Sequence, residues 1–455
     1  MNPNDGWSRR LVVRLGVIVL SFLVFASHAS AEWKEKVLYS FQGGRDGAVP
    51  AGGVVFDQRG NLYGATSEGG SGCTAGSCGT VFQLVPPPNK SGKWEEKILH
   101  DFRGSDGSIP EGSVILDAVG NVYGTTAYGG SGPRTLIGST VGCGTVYEML
   151  PPKQKGDPWT ENVIYSFQGN KDGQFPWGDL VFDKKGNLYG ATYFGGGFGN
   201  CDSPYYQHCG TIFELAVPKQ KGGKWKEKVL HRFRGGADGA TPNGGLVFGE
   251  TGAIYGTTLS GANQDCNFGQ GEIGCGMVFE LSPPATKGSD WSEHVLHRFR
   301  DGDDGGQPNG SLVFDAAGRL YGTAGGGASQ GEGVVFRLSG TSHGPWQDAV
   351  LYDLINDQDG AAPQAGVVFD TEGNLYGTAS GGGAAGDGTV VRLRSTADGW
   401  VIAVLHTFTG APDGSYPASK LIFDRAGNLY GTTQQSGTGQ NCGNHGCGTV
   451  FEVSP

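Results

Sequence analysis

The chain has 455 residues, a formal net charge of −11 and a pI near 5.3. That acidic balance excludes the basic footprint of a nucleic-acid binder. Its 85 glycines stand far above the usual ~7% and follow no three-residue period, which excludes collagen.

In chain order the first element is a targeting segment. Arg9, Arg10 and Arg14 precede the apolar run "LGVIVLSFLVFA" (Leu15 to Ala26), and Ala29-Ser30-Ala31 supplies the small residues of a signal-peptidase site. The run is shorter than the ~20 residues needed to span a bilayer. Residues 1–31 therefore read as a signal peptide cleaved after Ala31, and residues 32–455 as the exported domain, with no transmembrane segment in the mature chain.

From there one unit recurs, marked by Trp33, Trp94, Trp159, Trp225, Trp291, Trp346 and Trp400. Each copy opens on a strand such as "EKVLHRF" and continues through an Asp-Gly-x-x-Pro turn into a strand such as "GGLVF". A D-x-x-G-N turn, "LYGTT", a Gly-rich loop and a strand such as "GTIFEL" complete it. Four residues and a glycine separate the β runs of "FDQRGNLYG", the signature of an antiparallel hairpin. "PPP" at Pro86–Pro88 and "PP" at Pro151–Pro152 end the fourth run, because proline cannot extend a ladder.

Four short strands per unit and seven units predict an all-β, seven-bladed propeller. The ends support closure. The mature chain opens on "EKVLYSF" and finishes on "GTVFEV", so the last unit lacks one strand and the N-terminus holds a spare. The spare is expected to complete the last blade and leave no open edge.

Recurrence separates scaffold from site. Asp46, Asp106, Asp172, Asp238, Asp304, Asp359 and Asp413 head the Asp-Gly-x-x-Pro turns, where aspartate accepts backbone N–H groups. Tyr63, Tyr123, Tyr189, Tyr255, Tyr321, Tyr376 and Tyr430 read, like the tryptophans, as packing between blades. His100, His231, His297 and His406 have the residue type of metal ligands. Tyr39, Tyr165 and Tyr352 occupy the equivalent places, so they read as packed strand positions, and no metal site is assigned.

Cys73/Cys78, Cys201/Cys209, Cys266/Cys275 and Cys442/Cys447 each fall within one loop and read as local disulfides of an exported protein. Cys143 is left without a partner. Strand order puts the Asp-Gly-x-x-Pro turns and the cysteine loops on one face, where function is expected.

The residue after the recurring proline is Ala51, Glu111, Trp177, Asn243, Asn309, Gln364 and Ala418 in turn, a ring expected at the mouth of the central channel. Around Trp177 stand Phe175, Tyr193, Phe194, Phe198, Tyr205, Tyr206 and His208. Aromatic planes beside amides and a carboxylate suit sugar rings. The same aromatics could equally form a small satellite core, and both readings stay open. No G-x-S-x-G, H-E-x-x-H or Walker pattern occurs.

"GNLYGTT", "GTVFEV" and Asp-Gly-x-x-Pro followed by strands such as "LVFD" resemble the GloVer-type tandem repeats of bacterial extracellular, choice-of-anchor proteins. The resemblance runs from Trp33 to Pro455. Blade four departs from it at Gly249 and Ala253, and blade five at Arg319. It implies an extracellular protein and carries over no catalytic residue.

The expected function is a secreted or periplasmic monomer binding polysaccharide or a cell-surface protein through Glu111, Trp177, Asn243, Asn309, Gln364, Tyr193, Phe194, Tyr205 and Tyr206, without a cofactor. A hydrolase or lyase using channel carboxylates, with Ca²⁺, and an envelope scaffold are the alternatives.

Overall fold

The computed structural model describes residues 33–73, 78–89, 92–133, 142–169, 171–197, 209–220, 222–262, 266, 274–286, 288–341, 345–442 and 445–455. Among these, seven antiparallel sheets follow one another along the chain as the blades of a propeller. In the first blade the innermost strand is Val55–Phe56, followed outward by Leu62–Thr66, Thr80–Val85 and Glu95–Asp101. Blade four adds a short strand, Ala240–Pro242, against Ile254–Ser260.

The spare N-terminal strand closes the ring. Lys34–Ser40 pairs antiparallel with Thr449–Ser454 and becomes the outermost strand of blade seven. No helix among the described residues is long and apolar enough to cross a membrane.

The core lies between blades. Tyr123, Val146 and Phe167 of blade two share one apolar cluster with Leu180, Leu188, Phe213 and Leu215 of blade three. The other interfaces repeat this plan, with a tryptophan over the neighbouring tyrosine, as in Trp225 on Tyr123 at 6.3 Å.

Each outer strand carries a bulge. In blade one Ile98 and His100 pair with consecutive residues Phe82 and Val81, so Leu99 is skipped and turns inward to burial. The bulge re-aims the residue after it, which is why a half-wet His or Tyr follows a buried Leu in "ILH" and "VLY".

The D-x-x-G-N turns are Asp-capped. Asp57 accepts the Asn61 backbone N–H and side-chain amide at 2.9 and 2.7 Å, and the Tyr63 hydroxyl at 3.3 Å. Blade four, with Gly249 and Ala253, lacks this cap and keeps the turn by backbone bonds, the Gly249 N–H to the Ala253 carbonyl and the Gly252 N–H to the Gly249 carbonyl.

Candidate functional site at the channel mouth

The seven residues that follow the recurring proline line one cavity of about 120 Å³ on the axis. The position after them is Gly52, Gly112, Gly178, Gly244, Gly310, Ala365 and Ser419, small in every blade for a steric reason. A Cβ on Gly112 would lie 2.9 Å from the Gly178 carbonyl oxygen, and one on Gly310 would lie 2.3 Å from the Gly366 nitrogen. The backbones therefore converge too closely for a side chain at the glycines and leave room only for the small ones of Ala365 and Ser419, and the cavity is narrow because of it.

The third position after the proline also faces this cavity, through Ser113, Asp179, Ser311 and Lys420. Adjacent blades are stitched there. Gly53 N–H donates to Ser113 Oγ at 2.9 Å, Ser113 N–H to Asp179 at 2.7 Å, and Gly245 N–H to Ser311 Oγ at 3.1 Å. Sequence reading missed these residues, although a Ser, Asp or Lys inside an otherwise apolar run was the available signal.

At the mouth, Trp177 is 37% exposed and its ring inclines over Tyr193 at 5.6 Å. Asn243 donates its amide to Asn309, and Gln364 donates to the Tyr416 hydroxyl at 2.6 Å. Burial, aided by the charge of Glu68, pushes the Glu111 carboxyl up to about 8. Phe175 and Phe194 are 1% and 6% exposed and pack with Ala127 and Tyr128 in a small apolar cluster. The third blade thus holds both a satellite core and an open ring, Trp177. Phe198, Tyr205, Tyr206 and His208 lie outside the described residues.

The cysteines sit where the loops return to the sheets. Cys73–Cys78, Cys266–Cys275 and Cys442–Cys447 are bonded, and Cys209 is bonded too, while Cys201 lies outside the described residues. Cys143 is free and buried. It occupies the place of Cys78, Cys209, Cys275 and Cys447, before the glycine that opens the third strand.

The carbonyl at that place bridges blades. Cys78 accepts from Ile109 at 2.9 Å, Cys143 from Phe175 at 3.0 Å, and Cys447 from Val49 at 2.9 Å. A position lacking a disulfide in blade two still performs the same backbone task.

The seven turn aspartates cap their own loops. Asp106 accepts the Arg103 N–H at 2.8 Å, Asp172 the Gln168 N–H at 2.9 Å and Asp359 the Ile355 N–H at 2.7 Å. Each also meets the His or Tyr of the preceding strand, as Tyr165 donating to Asp172 at 2.8 Å and His100 Nε2 to Asp106 at 3.0 Å. In six of the seven interfaces an acidic residue from the next outer strand stands by, from Glu96 against Asp46 to Glu35 against Asp413.

A sequence-family model described as the Gloeobacter/Verrucomicrobia repeat matches residues 24–200, 133–346 and 342–455. The chain belongs to this repeat family. No curated protein matches it. Among solved structures, a luciferin-regenerating enzyme covers 93% of this chain and 95% of its own, at 14% identity and a TM-score of 0.44. A calcium structure of a Trichoderma reesei carbohydrate-active enzyme of family AA12 covers 93% and 96%, at 13% identity and a TM-score of 0.44. A Thermus thermophilus protein titled a putative oxidoreductase (glucose dehydrogenase) covers 93% and 100%, at 13% identity and a TM-score of 0.41.

Proposed function

We propose that this repeat propeller is an exported binding module that takes a glycan across the channel mouth, with Trp177 as the platform for a sugar ring. The observation that carries the reading is the half-open indole of Trp177, backed by Tyr193, on the rim of a cavity also lined by Glu111, Asn243, Asn309 and Gln364. A surface aromatic beside amides and a carboxyl offers one apolar plane and several hydrogen-bonding groups, the two demands of a pyranose.

Volume supports a ligand lying across the mouth. About 120 Å³ on the axis is well below the roughly 300–1,000 Å³ of pockets that enclose small molecules. Export through the signal peptide of residues 1–31 accords with the disulfides, which persist in oxidising compartments.

The test is binding of the protein to a polysaccharide panel beside Trp177→Ala. Loss of binding with an unchanged Tm supports the platform. Binding indifferent to Trp177, or none across the panel, sinks it.

A second reading has one observation in its favour. Glu111, pushed up to about 8, holds its proton at neutral pH as a general acid would, and Asp179 lines the same cavity. Cleavage of a panel polysaccharide that stops in Glu111→Gln would favour a hydrolase or lyase.

A further inference from the structure

The four histidines at blade interfaces make the same contact at different distances. His100, His297 and His406 place Nε2 at 3.0, 3.2 and 3.2 Å from the turn aspartate, within hydrogen-bonding range. His231 Nε2 stands 3.6 Å from Asp238 Oδ1, too far for such a bond. This nitrogen is shut off from solvent and has no hydrogen-bond partner.

The third group at this interface is in the same condition. Glu293 comes from the outer strand of blade four, Ser292–Arg298, and its Oε1 is buried without a partner, as are those of Glu35, Glu96, Glu161 and Glu227 at other interfaces, so the orphaned histidine nitrogen is what sets this interface apart. The ligating atoms of His231, Asp238 and Glu293 all lie within 4.8 Å of one another, as do those of His100, Asp106 and Glu161, where the His100–Asp106 hydrogen bond at 3.0 Å already satisfies the imidazole nitrogen.

Distance separates two explanations. A hydrogen-bonded N–H and carboxylate sit ~2.7–2.9 Å apart. Two atoms bound to one tetrahedral zinc, at bonds of ~2.0–2.2 Å, stand about 3.4 Å apart. The His231–Asp238 separation of 3.6 Å lies nearest the second and the His100–Asp106 separation of 3.0 Å nearest the first, while the 3.2 Å contacts of His297 and His406 are hydrogen bonds that fall between the two.

We infer that His231, Asp238 and Glu293 form a divalent transition-metal site, suited to Zn²⁺, at the interface of blades three and four. One imidazole nitrogen and two carboxylates are a zinc donor set, and water completes the tetrahedron. The carboxylates bring two negative charges against the two positive charges of the ion.

Asp238 is already oriented by a second partner, accepting the Arg234 backbone N–H at 2.7 Å, as metal-ligating carboxylates usually are. The site is on the outer part of the ring, away from the channel mouth, so its role is to clamp two blades together.

The experiment uses the full exported chain, free of any affinity tag and stripped with chelator, titrated with ZnCl₂. Metal content and Tm are read together, with His231→Tyr and His100→Tyr as paired variants. Tyrosine is the natural occupant of this position at Tyr39, Tyr165 and Tyr352, so the substitution suits the local packing. Wild type and His100→Tyr should each take up close to one zinc per chain and rise in Tm. His231→Tyr and Glu293→Gln should lose both effects. No uptake by the wild type, uptake unchanged in His231→Tyr, or a Tm response to CaCl₂ in place of ZnCl₂ would each overturn the assignment.

Discussion

At the scale of single residues, the third blade separates packing from recognition within a few positions. Phe175 has φ +57°, one of seven residues before the recurring proline held in the left-handed region, from Ala362 at +51° to Tyr416 at +61°. Such backbone costs of order 1–3 kcal/mol at each position. It persists because both polar groups of the peptide are used. The Phe175 N–H reaches the Cys143 carbonyl, and its own carbonyl accepts from Tyr193 at 2.9 Å. The ring is then fixed against Tyr128 at 4.6 Å and Phe194 at 5.6 Å. Phe175→Ala should therefore cost about 3–4 kcal/mol, as buried Phe truncations do. Trp177→Ala, two residues on and 37% exposed, should cost under about 1 kcal/mol while abolishing glycan binding. Urea unfolding of both variants checks this, and equal losses would show that Trp177 is also packing. The sequence presents the two aromatics alike. Only the fold decides which one turns inward, since the turn reverses direction at the strained residue.

At the scale of elements, the loops between second and third strands were legible as disulfide-bearing, because paired cysteines within five to nine residues can meet without the rest of the fold. What spacing could not show is why the second cysteine stands where it does. Its carbonyl ties the blade to the next one, so the bond holds an inter-blade joint as well as a loop. Cys143 makes the point from the other side, since it keeps the burial and the carbonyl bond to Phe175 without a disulfide. Replacing Cys73 and Cys78 together by serine removes a five-residue separation, for which chain entropy predicts a loss of about 2 kcal/mol. A measured loss well above that in thermal or urea unfolding would mean the joint between blades one and two had also slackened. The outer-strand bulge was equally hidden. The motif "VLH" reads as a strand continuing its alternation, yet the skipped Leu and the re-aimed His arise from pairing with a partner strand, which periodicity does not contain.

At the scale of the whole molecule, seven similar interfaces make the ring respond to pH as one object. Glu96 faces Asp46, Tyr39 and Asp101, and burial followed by the charges of Asp46 and Asp101 pushes its carboxyl up to about 9 against the hydrogen bond from Tyr39. Burial and Asp413 push Glu35 to about 7, and burial and Asp172 do the same for Glu227 against the opposing charge of Arg232. Glu161 also reaches about 7 by burial, between His100 and Asp106. One oxygen of each of these four carboxyls is buried without a hydrogen-bond partner, which suits a protonated acid better than an ion. Unfolded, the same groups let go of their protons near 4.5. Their contribution to stability is therefore complete below about pH 4.5 and is lost as pH climbs through 7 and then 9. The Asp106 and Asp304 carboxyls are held low by their histidines and act only in stronger acid, where their contribution fades as pH falls. Burial lowers His406, which opposes the trend below its ordinary value of 6.5, and it does so at a single interface. Tm should consequently fall from pH 5 to pH 9, and Glu96→Gln should flatten the upper part of that fall because one of the two carboxyls that reach about 9, Glu96 and Glu293, is gone. Calorimetric scans at pH 5, 7 and 9 test it. A Tm that is level or rises over this range would mean the interface carboxylates stay ionised in the folded ring, with water or cations compensating them.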